Sequence, residues 1–166
     1  MIVVSDTTPL ISLMKADCLA LLAPLFHEVL IPEAVYAELI SNPVFADEAM
    51  QIKECDFIRV VTVKEHKAVD VLQRVSGLDL GESEAIVYAD DAKADVLLMD
   101  EVKGRAVAKS MGIYIMGTVG ILLFAHEEKL LSVEETKKAL EKLRQANRHI
   151  SEELLSYALS KLEGHT

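Results

Sequence analysis

Short β-branched runs alternating with longer helical stretches constrain this chain more than any other feature of its sequence. The runs at 2–4, 28–31, 58–63, 95–99 and 113–116 are almost continuously apolar, as strands are when both faces of their sheet are covered. Between them lie stretches of helical character at 9–22, 32–40, 46–54, 68–75, 81–92 and 102–111. Parallel strands need crossover connections of about this length, and right-handed βαβ units supply them. Beyond Gly117 the pattern is helical throughout, through Leu123 and then at 133–143 and 150–162. The expected fold class is α/β: a three-layer α/β/α domain of about five mostly parallel strands with extra C-terminal helices. With 166 residues and no internal repeat or low-complexity linker, a single domain over 1–166 is expected.

Charge and cysteine content narrow the function. The chain carries 27 acidic and 17 basic residues, a formal net charge of −10, which argues against a protein that coats nucleic acid through charge alone. The same excess permits carboxylates to gather around a cation. Cys18 and Cys55 form no CxxC pair, so neither a zinc ribbon nor a disulfide scaffold is expected, and reduced thiols suit a cytoplasmic location. The longest apolar runs fall short of the ~20 residues a bilayer demands. Residues 1–6 lack a basic leader. No membrane partner is expected.

In open parallel sheets ligands sit beyond the carboxyl ends of the strands, so the polar residues there matter most. Asp6 ends the first strand and Asp100 another. Taken singly, each also suits a helix N-cap. Glu38 borders the apolar stripe of its helix rather than its polar face. Asp79-Leu-Gly-Glu82-Ser-Glu84 opens a further helix; Asp79 and Glu82 have capping-box spacing. Glu82 and Glu84 are two residues apart and point to different sides. One of them faces the site, with Glu84 favoured and Glu82 the alternative. Hard cations such as Mg²⁺ and Mn²⁺ prefer carboxylate and water oxygens, and acids crowded into one cleft repel one another unless a cation neutralises them. Such a set suits hydrolysis of a nucleic-acid backbone.

The order strand–Asp6-Thr-Thr, Glu38 on an early helix, Leu-Gly-Glu82-Ser-Glu84-Ala-Ile opening a middle helix, and Leu-Leu-Met-Asp100 closing a strand resembles the PIN domain family, in particular its VapC-like toxins and their prokaryotic relatives. The likeness covers 1–124, leaving 125–166 as a helical appendage. It implies a Mg²⁺- or Mn²⁺-dependent endoribonuclease. Asp6, Glu38, Glu84 and Asp100 correspond to the family's four metal-binding and catalytic acids, and Thr8 to a supporting hydroxyl. RNA as substrate, a toxin role, an antitoxin protein and a homodimer are further implications. The chain departs from the family in three places: Glu at the third acid instead of Asp, Leu98 where a Thr is common, and Val102 where a further acid often stands. A PIN-like binding module that has lost turnover is the alternative reading.

Lys103 and Arg105 beside Asp100 suit phosphate contacts, although ordinary solvated charges read the same way. The tyrosines fall in apolar patterns and are expected in the core. The histidines, at 27, 66, 126, 149 and 165, show no ligand spacing. A haloacid-dehalogenase-like phosphatase fits worse, because Thr8 stands where its second Asp belongs. A response-regulator receiver fits worse too, because Met116-Gly117-Thr118 follows the strand where its Lys belongs. No GxGxxG or GxxxxGK[ST] motif is present. The apolar pairs Leu123-Phe124, Leu130-Leu131 and Leu154-Leu155 serve either the core or a partner.

Overall fold

The computed structural model describes residues 1–148 and 150–164; His149, His165 and Thr166, and with them two histidines of the ligand-spacing argument, lie outside the described residues. The chain opens with strand β1 (Val3–Ser5), helix α1 (Thr7–Lys15), a 3₁₀ turn (Leu19–Leu21), α2 (Leu22–Phe26), β2 (Val29–Pro32) and α3 (Glu33–Ser41). A second 3₁₀ turn (Pro43–Phe45) leads into α4 (Ala46–Glu54), β3 (Ile58–Val61), α5 (His66–Ser76) and α6 (Leu80–Asp91). Next come β4 (Val96–Leu98), α7 (Val102–Ser110), β5 (Ile115–Met116), α8 (Thr118–Glu127), α9 (Val133–Gln145) and α10 (Glu152–Glu163).

The five strands pair in parallel, in the order β3-β2-β1-β4-β5. Successive residues alternate between two apolar layers, as the strand period of two requires. Val3, Val29, Ile31, Val96 and Leu98 face one layer, whereas Val4, Leu30 and Leu97 face the other. The first layer is completed by Leu10, Leu13, Ile121 and Leu122, and the second by Ile86, Ala89 and Ala108. Connections leave β1 and β4 in opposite directions, so the crevice of this doubly wound sheet opens where Asp6 and Asp100 emerge.

The C-terminal helices share the larger core. Leu140, Leu143, Ala158 and Leu162 are at most 2% exposed and belong to the cluster containing Val3 and Leu10. Leu123, Phe124, Leu131 and Leu155 pack against that cluster, while Leu130 and Leu154 are exposed. Two tyrosines break the expectation of core placement: Tyr114 is 64% and Tyr157 54% exposed. They stand beside β5, the edge strand of the sheet among the described residues.

The expected helix at 9–22 is broken. Asp17 takes a left-handed conformation (φ 57°); its N–H donates to the Met14 carbonyl at 3.1 Å and the Cys18 N–H to Leu13 at 2.8 Å. These two bonds close a Schellman motif, and Lys142 Nζ holds the Asp17 carboxylate at 2.6 Å. Among the described residues no single helix is long and apolar enough to cross a membrane; α1 and the segment Leu19–Phe26 reach that length only together, across a 118° bend.

Candidate active site

The site grows from the pairing of β1 with β4. Ser5 lies opposite Leu98, and the Asp6 N–H donates to the Leu98 carbonyl at 3.0 Å. Asp6 is the N-cap residue of α1, yet its side chain makes no capping bond and is only 3% exposed with its residue. Burial pushes its carboxyl up to about 7, against the lowering effect of the Thr7 amide; Glu82, Asp79 and Glu38 add repulsion in the same direction.

Glu38 comes from the middle of α3. Its Oε2 accepts a 3.1 Å hydrogen bond from Thr7 Oγ1. Burial raises its carboxyl, the Thr7 bond opposes this, and the charge of Asp79 reinforces it. Glu82 lies in the first turn of α6 within the expected capping box: its amide donates to Asp79 Oδ1 at 2.8 Å, and its own Oε2 accepts from the Asp79 N–H at 3.0 Å. Burial raises the Glu82 carboxyl; the Asp79 amide lowers it, and Asp79, Glu101 and Glu38 raise it further. A Cβ on Gly81 would lie 3.2 Å from Glu38 Oε2 and 3.6 Å from Asp79 Oδ1, so the bare glycine is what lets α3 and α6 bring these acids together. None of Asp6, Glu38, Asp79 and Glu82 joins an ion pair among the described residues.

Of the four acids expected to converge, Asp6 and Glu38 share this pocket of negative charge. Glu84, the acid favoured from sequence, accepts at its Oε1 from the Ala34 backbone N–H at 3.1 Å, at the start of α3. Glu82, the alternative, is the α6 acid that acts on Asp6. Asp100 emerges beside Asp6, but both its oxygens are engaged across the chain, Oδ1 by the Thr118 N–H at 2.7 Å and Oδ2 by Thr118 Oγ1 at 2.6 Å. It caps α8, whose own N-cap residue Gly117 has no side chain to do so. A Cβ on Gly117 would lie 2.9 Å from both Asp100 Oδ1 and Arg105 Nη1.

Arg105 is half-buried and donates from Nη1 to the Met99 carbonyl at 2.9 Å. It lines a groove of about 1120 Å³ along the β5 edge, together with Asp100, Tyr114 and Tyr157. Lys103 is exposed and reaches back over the turn at Gly77, its Nζ 2.9 Å from where a Cβ would sit. Thr8 is half-buried; the hydroxyl that bonds to an acid is its neighbour Thr7. Thr7, Asp79 and Thr118 were not singled out as site residues from sequence. Only Asp79 had a signal, its capping-box spacing.

The donor set of Asp6, Glu38 and Glu82 is all carboxylate oxygen, the chemistry of a hard cation. Among the described residues no three acids or imidazoles already stand close enough to hold one ion. One or two carboxylates with water completing the shell is the arrangement these residues fit, and it is the habit of Mg²⁺. A family model described as a PIN domain matches residues 2–164. No curated protein matches the chain significantly.

Proposed function

Because the chain belongs to the PIN domain family, whose members are generally nucleases, we propose that it is a metal-dependent endoribonuclease working at Asp6, Glu38 and Glu82. The observation that carries this reading is the buried Asp6 carboxyl, pushed up to about 7 among acids that join no ion pair among the described residues. A folded chain tolerates such repulsion where a ligand relieves it, and perturbed carboxyls gather at functional sites. One or two of Asp6, Glu38 and Glu82, with water completing the shell, would hold Mg²⁺ or Mn²⁺. When bound, the ion neutralises charge growing on the phosphodiester and makes water more acidic.

The protein's own part is positional. Asp6 is fixed by its backbone bond to the end of β4 and is buried there. Thr7 orients Glu38, and the capping box orients Glu82. Asp100 holds α8 against β4, and Arg105 and Lys103 supply cations for the flanking phosphates of an RNA strand. The further reading as the toxin of a toxin–antitoxin pair, acting as a cytoplasmic homodimer, is supported by the likeness to the family's toxin members alone. A binding module without turnover is the competing reading, favoured by Leu98 and Val102 where the family commonly has a Thr and a further acid.

Cleavage of an end-labelled, mixed-sequence RNA in Mg²⁺, Mn²⁺ or EDTA tests the proposal. Cutting that needs metal and is lost in Asp6→Asn and Glu82→Gln supports it. Metal binding that depends on the same residues without cutting, across varied RNAs, selects the binding module.

A further inference from the structure

Helix α3 begins without a cap of its own. Its N-cap residue is Pro32, which makes no side-chain capping bond and has no polar side-chain atom with which to make one. The first N–H groups of a helix have no partner inside it and need one from elsewhere. The partner of Ala34 is Glu84, whose Oε1 crosses from α6 at 3.1 Å. A carboxylate there also meets the positive end of the α3 dipole.

Two features tie the same two helices together, with Glu82 set between them in the first turn of α6. Glu84 bonds the start of α3, and Gly81 admits Glu38 and Val35 at its Cα face. Glu38 is one helical turn beyond Ala34. We propose that Glu84 is a positioning residue: as an α6-borne cap for α3, it sets the separation of Glu38 and Glu82 around Asp6 without touching an ion itself. The functional half of this inference rests on the metal-site reading above; the capping half does not.

Glu84→Gln and Glu84→Ala separate the possibilities, because an amide oxygen accepts from Ala34 N–H as a carboxylate oxygen does, while it is a far poorer ligand for Mg²⁺. Hydrogen exchange at the Ala34 amide reads the cap directly. Mn²⁺ binding, measured on the full chain by calorimetry, and RNA cleavage read its consequence. Glu84→Gln is expected to keep Ala34 protection and to stay within about 2-fold of the parent in Mn²⁺ affinity and turnover. Glu84→Ala is expected to lose that protection and to weaken both by about 10-fold or more, the range for residues that orient ligands. Glu82→Gln should weaken Mn²⁺ binding while leaving Ala34 protected.

Equal losses of Mn²⁺ affinity in Glu84→Gln and Glu84→Ala would make Glu84 a ligand and overturn the proposal. A fall in melting temperature in Glu84→Ala with unchanged Mn²⁺ affinity and turnover would reduce it to a structural cap and also overturn it. If the parent chain neither binds Mn²⁺ nor cuts RNA, the metal-site reading fails, and Ala34 protection still decides whether Glu84 is the cap.

Discussion

Replacing Asp6 by Asn should stabilise the protein, and the gain should grow with pH. The Asp6 carboxyl has an ordinary value of 3.8 and stands at about 7 when folded, chiefly through burial. Between those values the folded chain retains a proton that the unfolded chain has released. Folding stability therefore falls as pH rises from about 4 to about 7 and then levels off. A displacement of this size corresponds to about 4 kcal/mol at 1.4 kcal/mol per decade. Asn has no proton to lose, and its amide occupies nearly the same space. For a chain of this length, about 4 kcal/mol is a rise in melting temperature of about 10 °C. The assay is thermal unfolding of parent and variant, followed by circular dichroism at pH 4 and pH 8 without divalent ions. Near-equal melting at pH 4 and a higher Asp6→Asn value at pH 8 is the expected outcome. On the proposed metal site, Mn²⁺ at pH 8 should then raise the parent more than the variant, because an ion held through this carboxylate would bind the folded chain alone. An advantage of the same size at both pH values, or none at pH 8, would refute the claim that a buried charge is the source.

Gly81→Ala should cut RNA cleavage about 10-fold while leaving the melting temperature within about 3 °C, since the new Cβ displaces the Glu38 carboxylate by a few tenths of an ångström at the helix contact; kcat and thermal unfolding check it. Thr118→Val removes the hydroxyl bond to Asp100 Oδ2 and should destabilise by about 2 kcal/mol, the range for a bond to a charged group, as measured by urea unfolding. Leu140→Ala, at a site 2% exposed, should cost about 3 kcal/mol. It should do so in a single urea transition, because α9 shares its core with β1 and α1; a separate early transition would show that the C-terminal helices unfold on their own.

The central strands were legible because parallel strands buried on both faces leave unbroken apolar runs; the order of strands in the sheet was not, because it depends on tertiary packing. The break after Lys15 was not, because nothing in the periodicity of 9–22 marks Asp17 as left-handed; its bonds to Met14 and Lys142 are tertiary and local-geometric facts. Asp6 was legible from its place at a strand end. The choice between Glu82 and Glu84 was not: both open one helix, and what separates them is the position of Ala34, fifty residues earlier. Asp100 was placed correctly at a strand end, but its engagement by Thr118 depends on how α8 packs. Tyr114 and Tyr157 sit in apolar patterns because they flank the β5 edge, where burial stops although the pattern continues.

The helix ends offer a different kind of lever. Besides α1, helices α6, α8 and α9 finish with a non-glycine residue in the left-handed region, Lys93 at φ 52°, Lys129 at 63° and Asn147 at 55°, each followed by an amide that reaches back five residues to close the turn. A lysine in that conformation holds the backbone about 1 kcal/mol above what glycine would require. The molecule thus carries unused thermal headroom, and it is stored at the opposite ends of α6 and α8 from Glu82 and Thr118. Lys93→Gly and Lys129→Gly offer a route to a hardier scaffold in which deleterious changes among the acids can be studied without losing the fold.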